Sequence, residues 1–279
     1  MSIIAFQGRP GAYSDLACRK ARPGWQTLPC ESFADAIQAV RDGRADLAML
    51  ACENSLAGRV PEIHALLPDA GLPIVGEHFQ RVEHCLIGLP GTRIDDIKRI
   101  HTHPVALGQV RRLIESLGVK AQAAFDTAGA VELVAEWNRS EEAAVASELA
   151  AELNGLEVLR RNVEDADHNT TRFYIVSREA EWPEPDEAMT MTTLLFRVKN
   201  TPGALYQALG GFAQHAVNMT RLESYMLGGT FAATQFLMDV EGHPKQFALQ
   251  EALKQLRTYC DDLKILGVYP VSPSRYSER

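Results

Sequence analysis

Short apolar runs alternating with helix-like segments constrain this chain more than any other feature. IIAF, LAMLA, PIVG, CLIGL and AAVAS each have the length of a strand, and segments such as SFADAIQAVRDG lie between them. In that segment Phe33, Ile37 and Val40 recur at helical spacing, and Gly43 suits the C-terminal stop. Such alternation predicts open, largely parallel α/β sheets. The 279 residues give room for about two domains.

The pattern changes after EAEWPEPDEA, an acidic stretch with two prolines that reads as a linker, set at 181–189. TTLLFRV, AVNMTRLESYML, TFAATQFLMDV and LKILGVYP then predict strands. PGALYQALGGFAQH and HPKQFALQEALKQLRTYC predict helices. Leu205, Leu209 and Phe212 share one face of the first, and Phe247, Leu249, Leu253 and Leu256 recur through the second. Gly228-Gly229 predicts a hairpin turn. The order βαββαβ, over 190–279, is that of ferredoxin-like folds.

Composition narrows the function. With 46% apolar and 23% charged residues the chain has a globular composition. A net charge of −8 argues against a nucleic-acid partner. No run of about 18 apolar residues predicts a membrane span. The start, MSIIAFQGRPGAYS, lacks a basic region followed by an apolar one, so no secretory signal is expected and the predicted location is the cytoplasm. Five cysteines, scattered without ligand spacing, fit reduced thiols. His101 and His103 suggest no metal site and are expected at the surface.

Three stretches bring polar chemistry to the ends of apolar runs, where ligands of open α/β sheets collect. FQGRPGAYSDLA ends a strand, loosens the backbone at Gly8 and Gly11, and offers Ser14 as a helix cap beside free N–H groups that favour an anion. An ordinary βα turn would look the same. LAMLACENSLAGRV brings Glu53, Asn54 and Ser55 together; Asn54 can donate and accept, for a substrate or simply as a cap. DADHNTTRFYIV, Asp165–Val176, sets Thr171 and Arg172 at the mouth of an apolar strand. Thr171 can donate without carrying charge, and Arg172 can grip a carboxylate or pair with Asp165 or Asp167.

GRPGAYSDLA, ACENSLAGRV, HTHPVALGQV, DTAGA, AAVASELAAELNGLEVL and NTTRF, in this order, resemble the prephenate dehydratase family over nearly the whole chain. The C-terminal βαββαβ pattern resembles its ACT regulatory domain. The resemblance implies a type II periplasmic-binding-protein-like pair of lobes, 1–79 with 163–180 and 80–162, around a substrate cleft. It implies a lyase that turns prephenate into phenylpyruvate with loss of carbon dioxide and water, without metal or organic cofactor, in phenylalanine biosynthesis. Matched positions make Thr171 the catalytic donor. Asn54, Glu53, Ser55, Thr102, Gln109, Arg172 and Ser14 become substrate-binding candidates, with Arg172 either holding a carboxylate or bracing the loop.

In the regulatory half, Gly203, Ala204, Leu205, Asn218, Glu223 and Ser224 match a phenylalanine-binding pattern, implying feedback and a homodimer or homotetramer. Tyr225-Met226 stand where Arg-Pro is usual, Arg9 and Ala51 where proline is, and Val105 where glutamine is. Arogenate as substrate, and a non-catalytic amino-acid sensor, are the alternatives.

Overall fold

The computed structural model describes residues 2–179, 182–185, 189–226 and 233–276. The turn expected at Gly228-Gly229 lies outside them, as does part of the linker expected at 181–189. Two compact units divide the chain: Met1–Ile63 with His78–Phe173, and His64–Glu77 with Tyr174–Arg279.

The first unit holds two sheets. Its strands and helices are β1 (Ile3–Gln7), α1 (Tyr13–Ala21), β2 (Gln26–Cys30), α2 (Phe33–Arg41), β3 (Leu47–Asn54), β4 (Gly58–Arg59), α3 (Pro61–Leu66) and β5 (Ile74–Arg81). Then follow β6 (Cys85–Gly88), β7 (Arg99–Thr102), α4 (Pro104–Leu107), α5 (Arg111–Leu117), β8 (Lys120–Ala123), α6 (Thr127–Trp137), β9 (Glu142–Ala146), α7 (Glu148–Asn154), β10 (Glu157–Arg160) and β11 (Thr170–Ser177). Elements α3, β5 and β11 run on into the residues of the second unit.

One sheet has the order β5-β11-β3-β1-β2, with β1 parallel to both β2 and β3. Ile4, Phe6, Ala48, Met49 and Leu50 are fully buried. A parallel strand covered on both faces needs such continuous apolar sequence. Helix α2 forms as expected: the Ser32 hydroxyl caps it by accepting from Asp35 N, Phe33, Ile37 and Val40 are buried, and Gly43 follows at φ 75°.

The other sheet has the order β10-β6-β9-β7-β8. It is mixed rather than largely parallel, with β6 antiparallel to both β9 and β10. Strand β6 begins, and β10 ends, where the chain passes between the sheets, so the two must run in opposite directions. Its core is built on alanine, with Ala128, Ala130, Ala144, Ala146, Ala150 and Ala151 buried, which lets α6 and α7 approach closely. His101 is a correction to the expectation of a surface position. It is buried, bonds Glu142 Oε2 at 2.7 Å and packs on Trp137 at 4.8 Å. The Arg99 guanidinium and His101 hold the Glu142 carboxyl below its ordinary pKa.

Two stretches carry the chain between these sheets and run side by side. Val82 N donates to Asn169 O at 2.8 Å, and Val163 N to His84 O at 2.9 Å.

The second unit contains β12 (Thr190–Val198), α8 (Ala204–Gln214), β13 (Met219–Met226), β14 (Ala233–Glu241), α9 (Phe247–Tyr259) and β15 (Cys260–Pro270). The βαββαβ order holds, with neighbours β13-β14-β12-β15 all antiparallel. Leu194, Phe196, Phe236 and Met238 meet Ala208, Phe212, Leu249, Leu253 and Leu256 in one core. A polar network is also buried in this unit. Asp239 accepts from the Tyr174 hydroxyl at 2.9 Å and from Thr193 Oγ1 at 2.6 Å. Arg221 donates to the Tyr174 hydroxyl and to Glu223, both at 3.0 Å.

No helix among the described residues is long and apolar enough to cross a membrane.

Candidate active site

Strand β3 is apolar until Cys52 and ends on Glu53 and Asn54, where β4 folds back with Asn54 opposite Gly58. In that turn Asn54 Oδ1 accepts from Leu56 N at 3.0 Å and Ala57 N at 2.8 Å, as asparagine does in Asx turns. Two backbone donors on Oδ1 fix the orientation of the amide, so Nδ2 faces the other way. It donates to Asn169 Oδ1 at 2.9 Å and to Thr171 Oγ1 at 3.0 Å, with Thr170 O more distant at 3.4 Å.

Ser55 closes the same junction. Its N donates to Thr170 O at 2.9 Å, its hydroxyl donates to His168 O at 2.8 Å, and that hydroxyl accepts from Thr170 N at 2.9 Å. Thr171, half-buried at the start of β11, therefore accepts in this bond and keeps its own O–H to donate to another acceptor. A hydroxyl that accepts from an amide is a stronger donor than an isolated one.

Arg172 does not share that position. Adjacent strand residues point to opposite faces, and the Arg172 side chain is only 5% exposed, with Nη1 3.7 Å from Glu53 Oε2 and its guanidinium 6.0 Å from the Phe79 ring. This corrects the expectation that Arg172 grips a substrate carboxylate. Arg172→Met should lower stability by about 1–2 kcal/mol through lost packing and ion pairing, with the Michaelis constant within about 2-fold. An unchanged melting curve with a Michaelis constant raised tenfold or more would restore the clamp.

Gln109 sits at the passage between the sheets. Its Oε1 lies 3.0 Å from His84 Nε2, and His84 Nδ1 lies 2.8 Å from the Tyr13 hydroxyl. Asp165 N donates to Gln109 O at 2.7 Å, while the Asp165 carboxylate caps α5 by accepting from Arg111 N and Arg112 N at 2.8 and 3.1 Å. Tyr13, His84 and Asp165 carry no local sequence signal, because each acts on residues 50 or more positions away or across the passage.

Burial pushes the His84 pKa below its ordinary value. The unfolded chain then binds a proton that the folded one refuses, from about pH 6.5 down to the depressed value. Stability rises with pH across that interval and is lost as pH falls through it; His78 is shifted the same way. The melting temperature should fall between about pH 7 and about pH 5, less steeply in His84→Gln. Equal slopes in the two proteins would remove His84 from the effect.

Two further positions are corrections. Thr102 is fully buried and donates to Val145 O at 2.6 Å, so its hydroxyl serves the second sheet rather than a ligand. Ser14 does not cap α1: the cap position is Ala12, and Asp15 Oδ2 takes the Gly11 N–H at 2.9 Å. A carboxylate thus already occupies the amide expected to favour an anion.

The glycine-rich turn instead brings the two sheets' elements together. Gly11 has φ 86°, and a Cβ there would lie 2.7 Å from Ala150 Cα. The Ser147 hydroxyl donates to Gly11 O at 2.5 Å. Arg9 pairs with Asp126 at 3.3 Å and with Glu132. A cavity of about 470 Å³ lies alongside, lined by Gly8, Arg9, Pro10, Cys30 and Phe125, the last 86% exposed.

In the second unit Gly203 adopts a left-handed conformation, φ 78°, immediately before α8, where Ala204 is buried and Leu205 packs on the core. Asn218, exposed, accepts from Glu241 N at 3.0 Å. Glu223 is held by Arg221 and lies 3.4 Å from His64 Nδ1, while exposed Ser224 points to the opposite face. Tyr225, on the Glu223 face, bonds His64 Nδ1. Among the described residues no cluster of three His, Cys, Asp or Glu side chains could hold a metal ion. Burial raises the Cys85 and Cys260 thiols to about 11, so neither is a ready nucleophile.

Residues 4–181 match the family model described as prephenate dehydratase. A bifunctional N-acyl-homoserine lactone acylase/prephenate dehydratase of Komagataeibacter europaeus is 70% identical over 273 residues, covering 98% of this chain and 97% of the relative. Arogenate dehydratase/prephenate dehydratase 2, chloroplastic, of Arabidopsis thaliana is 37% identical over 277 residues, covering 96% of this chain and 72% of the relative. The crystal structure of prephenate dehydratase in complex with L-Phe from Arthrobacter aurescens superimposes with a TM-score of 0.86 at 31% identity, covering 96% of this chain and 90% of that one.

Proposed function

This chain belongs to the prephenate dehydratase family, lyases that dehydrate and decarboxylate, and we propose that it converts prephenate to phenylpyruvate with the Thr171 hydroxyl as donor to the departing ring oxygen. The carbon–carbon bond to the ring carboxylate breaks and releases carbon dioxide. Its electron pair enters the ring, the bond from C4 to the hydroxyl oxygen breaks, and that oxygen leaves with one added proton as water. Aromaticity supplies the driving force, so the protein need only stabilise the charge that develops on the leaving oxygen. Threonine is a weak acid; it polarises that oxygen by a hydrogen bond, and water supplies the proton.

Support comes from the fixed Asn54 amide, which donates to Thr171 Oγ1 and so leaves the hydroxyl proton for another acceptor. Ser55 braces the junction, Glu53 holds Arg172, and Gln109 and Ser14 remain the candidates for contacts to the rest of the substrate. The deciding experiment is formation of phenylpyruvate from prephenate by purified protein, with arogenate compared at equal concentration. Turnover of arogenate alone would move the substrate to the amino form. Turnover of neither would leave a non-catalytic sensor.

Residues 190–279 act as an ACT regulatory domain that binds phenylalanine, with Gly203, Ala204, Leu205, Asn218, Glu223 and Ser224 around it. The relative crystallised with L-Phe favours this effector. Inhibition requires phenylalanine to bind one conformational state more tightly than another. Strand β13 ends the sheet and exposes Leu222 and Met226, so pairing of two copies along it gives a homodimer or dimer of dimers in the cytoplasm. Light scattering reads the assembly directly.

A second activity, cleavage of N-acyl-homoserine lactones, is favoured by one observation, the relative of that name at 70% identity. Assay of acyl-chain release by the same preparation tests it. Loss of that release together with dehydration in Thr171→Val would assign both to one site.

A further inference from the structure

We propose that Asn169 is a positioning residue for the dehydration step, acting on Thr171 through Asn54; this rests on Thr171 as the donor. Asn169 is 1% exposed, and its side chain has one bonding partner among the described residues, Asn54, whose Nδ2 donates to its Oδ1 at 2.9 Å. Its own Nδ2 is buried without a partner among those residues. What this side chain contributes is an acceptor at one defined point.

That acceptor decides where the neighbouring amide aims. Asn54 Nδ2 has two N–H groups and three oxygens within reach: Asn169 Oδ1 at 2.9 Å, Thr171 Oγ1 at 3.0 Å and Thr170 O at 3.4 Å. With one N–H held by Asn169, the other falls to Thr171. Without it, Asn54 can satisfy itself on Thr170 O and abandon the hydroxyl. Asn169 also accepts from Val82 N at 2.8 Å through its carbonyl, in the passage between the two sheets. The backbone of the residue that aims the Asn54 amide is therefore held in the passage between the two sheets.

The test is a double-mutant cycle with steady-state kinetics on the full chain. Asn169→Ala should lower kcat about 10-fold and leave the Michaelis constant within about 3-fold, because the lost interaction serves the transition state. The double variant Asn54→Ala/Asn169→Ala should match Asn54→Ala alone within about 3-fold, since the second residue acts only through the first. Multiplicative losses would overturn the proposal, as would an unchanged kcat in Asn169→Ala while Asn54→Ala and Thr171→Val are impaired. If all three variants keep full activity, the donor role of Thr171 is what fails. Should Asn169→Ala not fold, Asn169→Asp keeps the acceptor oxygen and is expected to exceed Asn54→Ala in kcat; a kcat at or below that of Asn54→Ala overturns the proposal.

Discussion

Replacing Thr171 with valine is expected to lower kcat by about 100- to 1000-fold, the range found when a preorganised donor to a developing negative charge is removed. The substitution keeps shape and branching, and among the described residues the hydroxyl makes one internal bond, to Asn54 Nδ2, so the fold should survive. The Michaelis constant should change little, since the ground-state ring hydroxyl is neutral and demands little from a donor. Thr171→Ser keeps the oxygen and loses only the rotamer restriction of the branched side chain, so its kcat should stay within about 10-fold of the parent. A valine variant as active as the parent would remove Thr171 from the chemistry.

Gly11→Val should have the second-largest effect, through geometry rather than chemistry. A Cβ at Gly11 would sit 2.7 Å from Ala150 Cα and 3.1 Å from Ala150 N, both backbone atoms of α7 that no rotamer change can move. The backbone is also at φ 86°, a region that β-branched residues avoid at a cost of about 1–2 kcal/mol. The two elements must part by an ångström or more, breaking the bond from the Ser147 hydroxyl to Gly11 O. Misplacement on that scale costs about 100-fold in rate, and kcat/KM is expected to fall accordingly. Ala150→Gly should not rescue it, because the clash is with Cα rather than Cβ. Full rescue would show that side-chain crowding, not backbone approach, is the constraint.

What could be read in the sequence was whatever a short window determines. The run LAML is apolar because β3 is covered on both faces, and Phe33, Ile37 and Val40 mark the inner face of α2. The βαββαβ order follows from turn residues and periodicity alone. Thr171 and Asn54 stand out only through the family resemblance, since threonine is common in strands and asparagine in caps, and the structure joins them at 3.0 Å.

Most of the misread residues depend on distant partners, and Ser14 on a competing neighbour. Ser14 looked like a cap until Asp15 took the Gly11 amide. Arg172 lies beside Thr171 in sequence, yet the pleat turns it to the other face, towards Glu53, 119 positions earlier in the chain. His101 is drawn inside by Glu142, 41 residues on. Asn169 lay within the motif all along, but its side-chain bond crosses 115 residues to Asn54, a contact that no local pattern announces.

The role of Thr171 is tested most directly by a crystal structure of Thr171→Val with prephenate, which an inactive variant should trap intact. The ring hydroxyl oxygen is expected within about 4 Å of the valine methyl that replaces Oγ1, the van der Waals counterpart of a hydrogen bond of about 2.8 Å. A substrate bound with that oxygen more than about 6 Å away, or facing a different donor, would contradict it.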